Sequence, residues 1–320
     1  MDNSEYLKSF FTEHWKYMAV STACKLNIFD RLKTQMSSDE IASKLWLNHE
    51  KTALLLNALT QYGFLKKKGQ LFEITDLSSY LTENHPRSLK YACQNWSAEH
   101  LDAWQMLDYS IISGKSSFEH LHNQSFFEFL NCHPEKLDAY HKAMYEYARD
   151  DYKNLSTVID FGIHNSIIDV GGGYGAAIQS IKNHYPEVNC ALFDLQQVVE
   201  NAPVKDIVKH QGNFFDKIPD NYETIILSRI LHDWKDSKAG IIIRNCYLSL
   251  NSGGILYVIE NCSCDQDDKL SLLSLNMTVM CESHERTEVE YIMLCQHQGF
   301  TYLRSEKLNK LQTILIFEKK

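Results

Sequence analysis

The stretch SIIDVGGGYGAAIQSI, Ser166 to Ile181, sets Gly171, Gly172, Gly173 and Gly175 between an apolar run that closes on Asp169 and Val170 and a run with helical spacing. Glycine at a strand end lets the chain turn sharply and lets a ligand approach bare backbone. One glycine would serve a plain turn; four point to a ligand. Asp194 lies at the end of the strand in CALFDL, 19 residues after Gly175. At about that separation a strand-end carboxylate accepts the hydroxyls of a ribose. Glycines and aspartate together predict a nucleoside-containing ligand.

Two such ligands fit these residues, a dinucleotide and S-adenosylmethionine. The dinucleotide fingerprint carries a third glycine that packs helix on strand. Counted from Gly171 or Gly173, that place falls on Ala176 or Ile178. Alanine is tolerable there, so the glycines by themselves leave both ligands open.

These residues need a scaffold that brings strand ends together. From residue 166 short β-rich runs alternate with helical ones: SIIDV, a helix over 176–184, CALFDL, a helix near 196–202, IVKHQGNF, ETIILSRI, a helix over 237–250, and GILYVIE. Such alternation predicts an α/β domain, a doubly wound parallel sheet with helices on both faces. Thr287 and Glu290 form a capping box for a further helix. The tail TYLRSEKLNKLQTILIFEKK reads as a β-hairpin that adds an antiparallel strand to the sheet edge.

The first 95 residues read differently. Ser37 and Glu40 form a capping box, KTALLLNALTQYGFL carries leucines at helical spacing, and FLKKKGQLFEIT reads as two strands about Gly69. Helix, helix, hairpin outlines a winged helix. Such a unit binds DNA or serves as a dimerisation scaffold; the acidic chain and the leucine-rich helix favour dimerisation. Residues 96–155 are helical and rich in aromatics, a segment for core and for an apolar pocket. The expected division is 1–95 for dimerisation, 96–155 for linker and pocket, and 156–320 for the ligand-binding domain.

The chain has 320 residues, 44% hydrophobic, with 32 basic against 41 acidic side chains. Neither nucleic acid nor an anionic membrane surface attracts such a balance. No run of membrane-spanning length occurs and the first residues lack a leader pattern, so a soluble, cytoplasmic protein is expected. Nine cysteines are scattered; Cys262 and Cys264 are close, but no second pair answers at zinc spacing. Reduced thiols and no metal are the expectation.

DVGGGYG, LFDLQQVV, GNFFDKIP, SRILHDWKD and HERTEVE occur in that order. Together they resemble the small-molecule O-methyltransferases that include plant caffeic acid methyltransferases and bacterial antibiotic and phenazine methyltransferases. The likeness covers nearly the whole chain. It implies a Rossmann-like methyltransferase domain behind an N-terminal dimerisation domain, S-adenosylmethionine as methyl donor, and a homodimer. Asp169, Gly171 and Gly173 would hold the methionine end of that cofactor and Asp194 its ribose, with Ser228 also in contact. Asn213 and Phe214 would lie beside the adenine, Asn213 standing where the family usually has aspartate; it keeps an acceptor but no charge. His232 matches the family's general base, Glu260 and Glu285 its two supporting carboxylates. A phenol has a pKa of about 10 and histidine about 6.5, so a positioned imidazole can take the hydroxyl proton as the oxygen attacks.

By the same resemblance Tyr140, Met144, Asp233 and Met277 are candidate walls of the acceptor pocket. The expected reaction is methylation of a hydroxyl on a small aromatic metabolite. Two other readings stand beside it. One keeps the cofactor for carbon or nitrogen methylation or a rearrangement. The other is a cofactor-sensing winged-helix regulator that uses Lys66, Lys67 and Lys68.

Overall fold

The computed structural model describes residues 2–263 and 270–320; Cys264 lies outside the described residues. Two compact units form, Met1–Leu101 and Asp102–Lys320.

In the first unit the strands β1 (Met36–Ser37), β2 (Leu65–Lys68) and β3 (Leu71–Ile74) form an antiparallel sheet in the order β1-β3-β2. The hairpin about Gly69 is as expected; β1, only two residues long, has no legible periodicity. The capping box is present: the Ser37 N–H donates to Glu40 Oε2 at 2.7 Å and the Glu40 N–H to Ser37 Oγ at 3.3 Å. The leucine-rich helix runs His49–Gln61, capped by Asn48. It stops there because Gly63 turns left-handed at φ 78°. Ala23, Ile28, Phe29, Ile41 and Leu56 are fully buried between these elements.

The second unit is built on seven strands: β4 (Ser166–Val170), β5 (Asn189–Asp194), β6 (Val208–Gln211), β7 (Tyr222–Ser228), β8 (Leu250–Asn261), β9 (Phe300–Lys307) and β10 (Gln312–Lys319). Their order is β6-β5-β4-β7-β8-β10-β9. The first five are parallel to one another, and β10 is antiparallel to both β8 and β9. The expected hairpin forms and extends the sheet edge with antiparallel strands, β10 inside and β9 outermost. Ile314, Leu315, Ile316 and Phe317 of β10 are buried, and a strand with a continuous apolar centre belongs inside a sheet. The more polar β9 takes the exposed edge.

Residues 102–155 share their core with the sheet: Phe118, Phe126, Phe129 and Leu137 join Ile167, Ile178 and Ile259. On the opposite face Ile168, Ile225 and Val258 meet Ile242, Tyr291 and Cys295. No helix among the described residues is long and apolar enough to cross a membrane.

Strand order reverses between β4 and β7. In doubly wound sheets the ligand crevice opens at the carboxyl ends beside that reversal. Gly171 follows β4, Asp194 ends β5, Asn213 follows β6, Ser228 ends β7 and Glu260 lies near the end of β8. The topology thus gathers into one row the residues that are far apart in sequence.

Candidate active site

The glycine turn is built around two carboxylates. Asp169, 1% exposed, lies against the turn so closely that a Cβ on Gly172 would stand 2.5 Å from its Oδ2. Both Asp169 oxygens are buried without a hydrogen-bond partner. Burial, and then the negative charge of Asp194, push its pKa up to about 7. Asp194 is half-buried at the strand end. Its Oδ2 accepts the Gly173 N–H at 2.8 Å and its Oδ1 the Leu195 N–H at 2.7 Å. Each oxygen keeps a second lone pair for a hydroxyl. Burial raises this pKa to about 6.

Phe214 is half-buried, and its ring edge would lie 3.2 Å from a Cβ on Gly171. Asn213 is exposed, and its Oδ1 accepts the Phe215 N–H at 2.9 Å. The Ser228 hydroxyl is 2.5 Å from the Tyr152 phenol. His141 stacks on Tyr174, rings 5.3 Å apart, and its Nδ1 would lie 3.2 Å from a Cβ on Gly173. Unpartnered buried carboxylate oxygens, a strand-end carboxylate with spare acceptors and an aromatic wall fit a nucleoside that carries a cationic tail.

His232 sits on the short 3-10 turn Leu231–Asp233 and is 6% exposed. Its Nδ1 lies 3.0 Å from Glu285 Oε1. An ionised carboxylate can only accept, so Nδ1 carries the proton and Nε2 the lone pair of the neutral ring. Nε2 is 3.5 Å from Asp233 Oδ1. Burial and then Arg229 disfavour the imidazolium, but Asp233, Glu260 and Glu285 together outweigh them and raise the pKa above its ordinary 6.5. Glu285 is affected oppositely: burial pushes it up, while Arg229 and His232 pull harder and hold it at about 2.

The two glutamates expected to orient His232 do different things. Glu285 holds the ring. Glu260 holds backbone: its Oε1 accepts the Ile230 and Leu231 N–H groups at 3.0 and 2.8 Å, which fixes the start of the turn. Burial raises the Glu260 pKa. Ligand atoms of His232, Glu260 and Glu285 lie within 4.8 Å of one another. The cation beside both glutamates is Arg229, 3.2–3.3 Å from both Glu285 oxygens and 3.8 Å from Glu260 Oε2.

Arg229 is a site residue that sequence reasoning passes over. Its signal is an arginine wedged between an apolar strand and LHDW, where burial demands a partner. Arg286 is another. It is 2% exposed and donates to the carbonyls of Leu231 at 2.8 Å and Trp234 at 2.6 Å, clamping both ends of the His232 turn.

Beside Asp233 a cavity of about 170 Å³ is lined by Phe126, Phe127, Trp234, Met280, Cys281 and Lys238 among others. Phe127 stacks on Trp234 at 5.4 Å. Tyr140 packs edge-on against Phe126 and Phe127, at 5.2 and 6.3 Å, behind that wall. Burial, and then Asp233, raise the Tyr140 pKa. Met144 is half-buried on the helix Pro134–Asp151 and Met277 is buried on the helix Ser271–Cys281. Neither lines this cavity.

Comparison with known proteins matches residues 104–301 to an O-methyltransferase domain and residues 9–84 to an O-methyltransferase dimerisation domain. A phenazine O-methyltransferase of Lysobacter antibioticus is 27% identical over 94% of this chain and 92% of its own. An anthranilate N-methyltransferase of Ruta graveolens is 25% identical over 88% of this chain and 84% of its own. The crystal structure of human N-acetylserotonin methyltransferase in complex with S-adenosylmethionine superposes with a TM-score of 0.88 at 25% identity, covering 100% of this chain and 98% of that one. With more than half its length matched by the family's domain, the chain belongs to the O-methyltransferase family and is an S-adenosylmethionine-dependent methyltransferase.

Proposed function

We propose that the protein methylates a hydroxyl of a small aromatic molecule, with His232 as general base. One observation carries this reading: Glu285 takes the imidazole Nδ1 at 3.0 Å, so Nε2, 3.5 Å from Asp233 Oδ1, is the nitrogen that would meet an acceptor at the carboxyl ends of the strands. When bound, the cofactor supplies an electrophilic methyl group on a sulfonium centre. His232 Nε2 takes the hydroxyl proton as the acceptor oxygen attacks, and Glu285 stabilises the imidazolium that results. Positioning in line does most of the remaining work.

Asp169, Gly171 and Gly173 are assigned to the methionine end, Asp169 acting through the turn it underlies. Asp194 is assigned to the ribose, Asn213 and Phe214 to the adenine, and Ser228 to the cofactor beside Tyr152. Asn213 has one lone pair left after binding the Phe215 N–H. Asp233, Tyr140, Met144 and Met277 are assigned to the acceptor side. The dimerisation match supports a homodimer.

The N-methyltransferase relative favours one second reading, transfer to an aromatic amine. Mass spectrometry of products from a panel of phenols, catechols, hydroxyquinones and anilines decides. A product one methylene heavier from a hydroxylated acceptor, lost in His232→Ala, supports O-methylation with this base. Product from anilines alone overturns it.

A further inference from the structure

Arg229 is held unusually for a charged residue. Its backbone is left-handed, φ 57°, a conformation that is strained for a residue with a Cβ. Its N–H donates to Ile259 O at 2.9 Å, the bond that ties the end of β7 to β8. The turn that follows presents the Ile230 and Leu231 amides to Glu260. The guanidinium meets Glu285 in a fork, Nη1 to Oε2 at 3.3 Å and Nη2 to Oε1 at 3.2 Å. Oε1 is the oxygen that also faces His232 Nδ1. Nη1 is at the same time 3.8 Å from Glu260 Oε2, an oxygen with no hydrogen-bond partner.

Four charged groups bear on the imidazole: Asp233 on its own turn, Arg229 at the end of β7, Glu260 near the end of β8, and Glu285 ahead of the helix Glu288–His297. Three are carboxylates. A base surrounded by three carboxylates and no cation would hold its proton too firmly.

We propose that Arg229 is a positioning residue: it fixes Glu285 against the imidazole and offsets the surplus negative charge, so that His232 can receive a proton near neutral pH. The inference rests on the reading of His232 as base. Lysine is a poor substitute, since a single ammonium cannot form the two-pronged contact that fixes both Glu285 oxygens. The strained backbone has a use here, because the same turn delivers the guanidinium to Glu285 and two amides to Glu260.

The test is a histidine NMR titration of the cofactor-free protein, with the His232 resonance assigned by its absence in His232→Gln. In Arg229→Gln the His232 midpoint should rise by about one pH unit or more, since removing a nearby cation favours the imidazolium. Arg229→Lys should lie between Arg229→Gln and wild type. Glu285→Gln should move the midpoint down. Thermal melts of each variant confirm that the chain is folded. A folded Arg229→Gln whose His232 midpoint is unmoved overturns the inference, including the case in which only cofactor affinity falls. The base reading is judged separately, by product formation in His232→Ala, so the two can fail independently.

Discussion

His232 Nδ1 and Glu285 Oε1 are 3.0 Å apart and both side chains are buried. A buried pair of this kind fixes one tautomer and one ring orientation, and so decides which nitrogen faces the acceptor. General bases of this kind contribute about 10²–10⁴-fold to rate. His232→Gln should lose that much in kcat while calorimetry finds cofactor binding little changed. A variant that retains near wild-type turnover removes the imidazole from the chemistry.

Asp169 gives the cofactor-free protein a pH dependence of definite sign. Its folded pKa of about 7 lies above the ordinary 3.8. A raised carboxylate stabilises the fold in full only below the ordinary value, and that stability is lost as pH rises through about 7. At pH 8 the buried charge costs on the order of 4 kcal/mol. Asp169→Asn should therefore gain thermal stability relative to wild type as pH is raised from about 4 to 8. Equal melting-curve differences at both ends of that range would refute the assignment.

The glycine turn has no room at Gly172. A Cβ there would meet Asp169 Oδ2 at 2.5 Å and Leu192 Cδ1 at 2.6 Å, neither at the end of a long flexible chain. Gly172→Ala should cost about 1–3 kcal/mol of stability, the usual range for overpacking, and should weaken cofactor binding as the turn shifts. Urea denaturation with and without S-adenosylmethionine reads both effects. An alanine variant as stable as wild type would mean that the turn has slack the geometry denies.

Much of this site was legible in the sequence, for physical reasons. Parallel strands buried on both faces read as apolar runs, so SIIDV and CALFDL declare themselves, and the residue at each end is then a crevice residue. Glycines where the chain must turn are equally plain. What stayed hidden depends on side-chain direction. Glu260 and Glu285 look alike as supporting carboxylates, yet one takes backbone amides and the other the ring. Arg229 has a burial signal in the sequence, but its left-handed backbone and its reach to Glu285 do not follow from residue types. That β10 lies inside β9 at the sheet edge follows from the apolar centre of β10, a contrast visible in sequence.

Glu285 and Arg286 are neighbours with separate duties, and the second is testable by itself. Arg286 is 2% exposed and bonds the carbonyls of Leu231 and Trp234, the residues that bracket His232 and Asp233. It also meets Asp236 Oδ1 at 2.8 Å, but that carboxylate is 74% exposed and screened, so the pair adds little. The two carbonyls matter more: a hydrogen bond from a charged donor contributes about 1.5–3 kcal/mol. Arg286→Ala removes the charged donor from both, leaving Leu231 O the Trp234 N–H at 3.2 Å and Trp234 O the Ser283 hydroxyl at 3.3 Å, and should destabilise the second unit by a few times that of an average surface change. Arg286→Lys can reach one carbonyl but not span two, and should keep most of the stability while losing turnover, since the His232 turn is then held at one end. Chemical denaturation and kcat measured on the same two variants separate clamp from fold. If the lysine variant turns over like wild type, the turn is held well enough by Glu260 and the Ser283 hydroxyl.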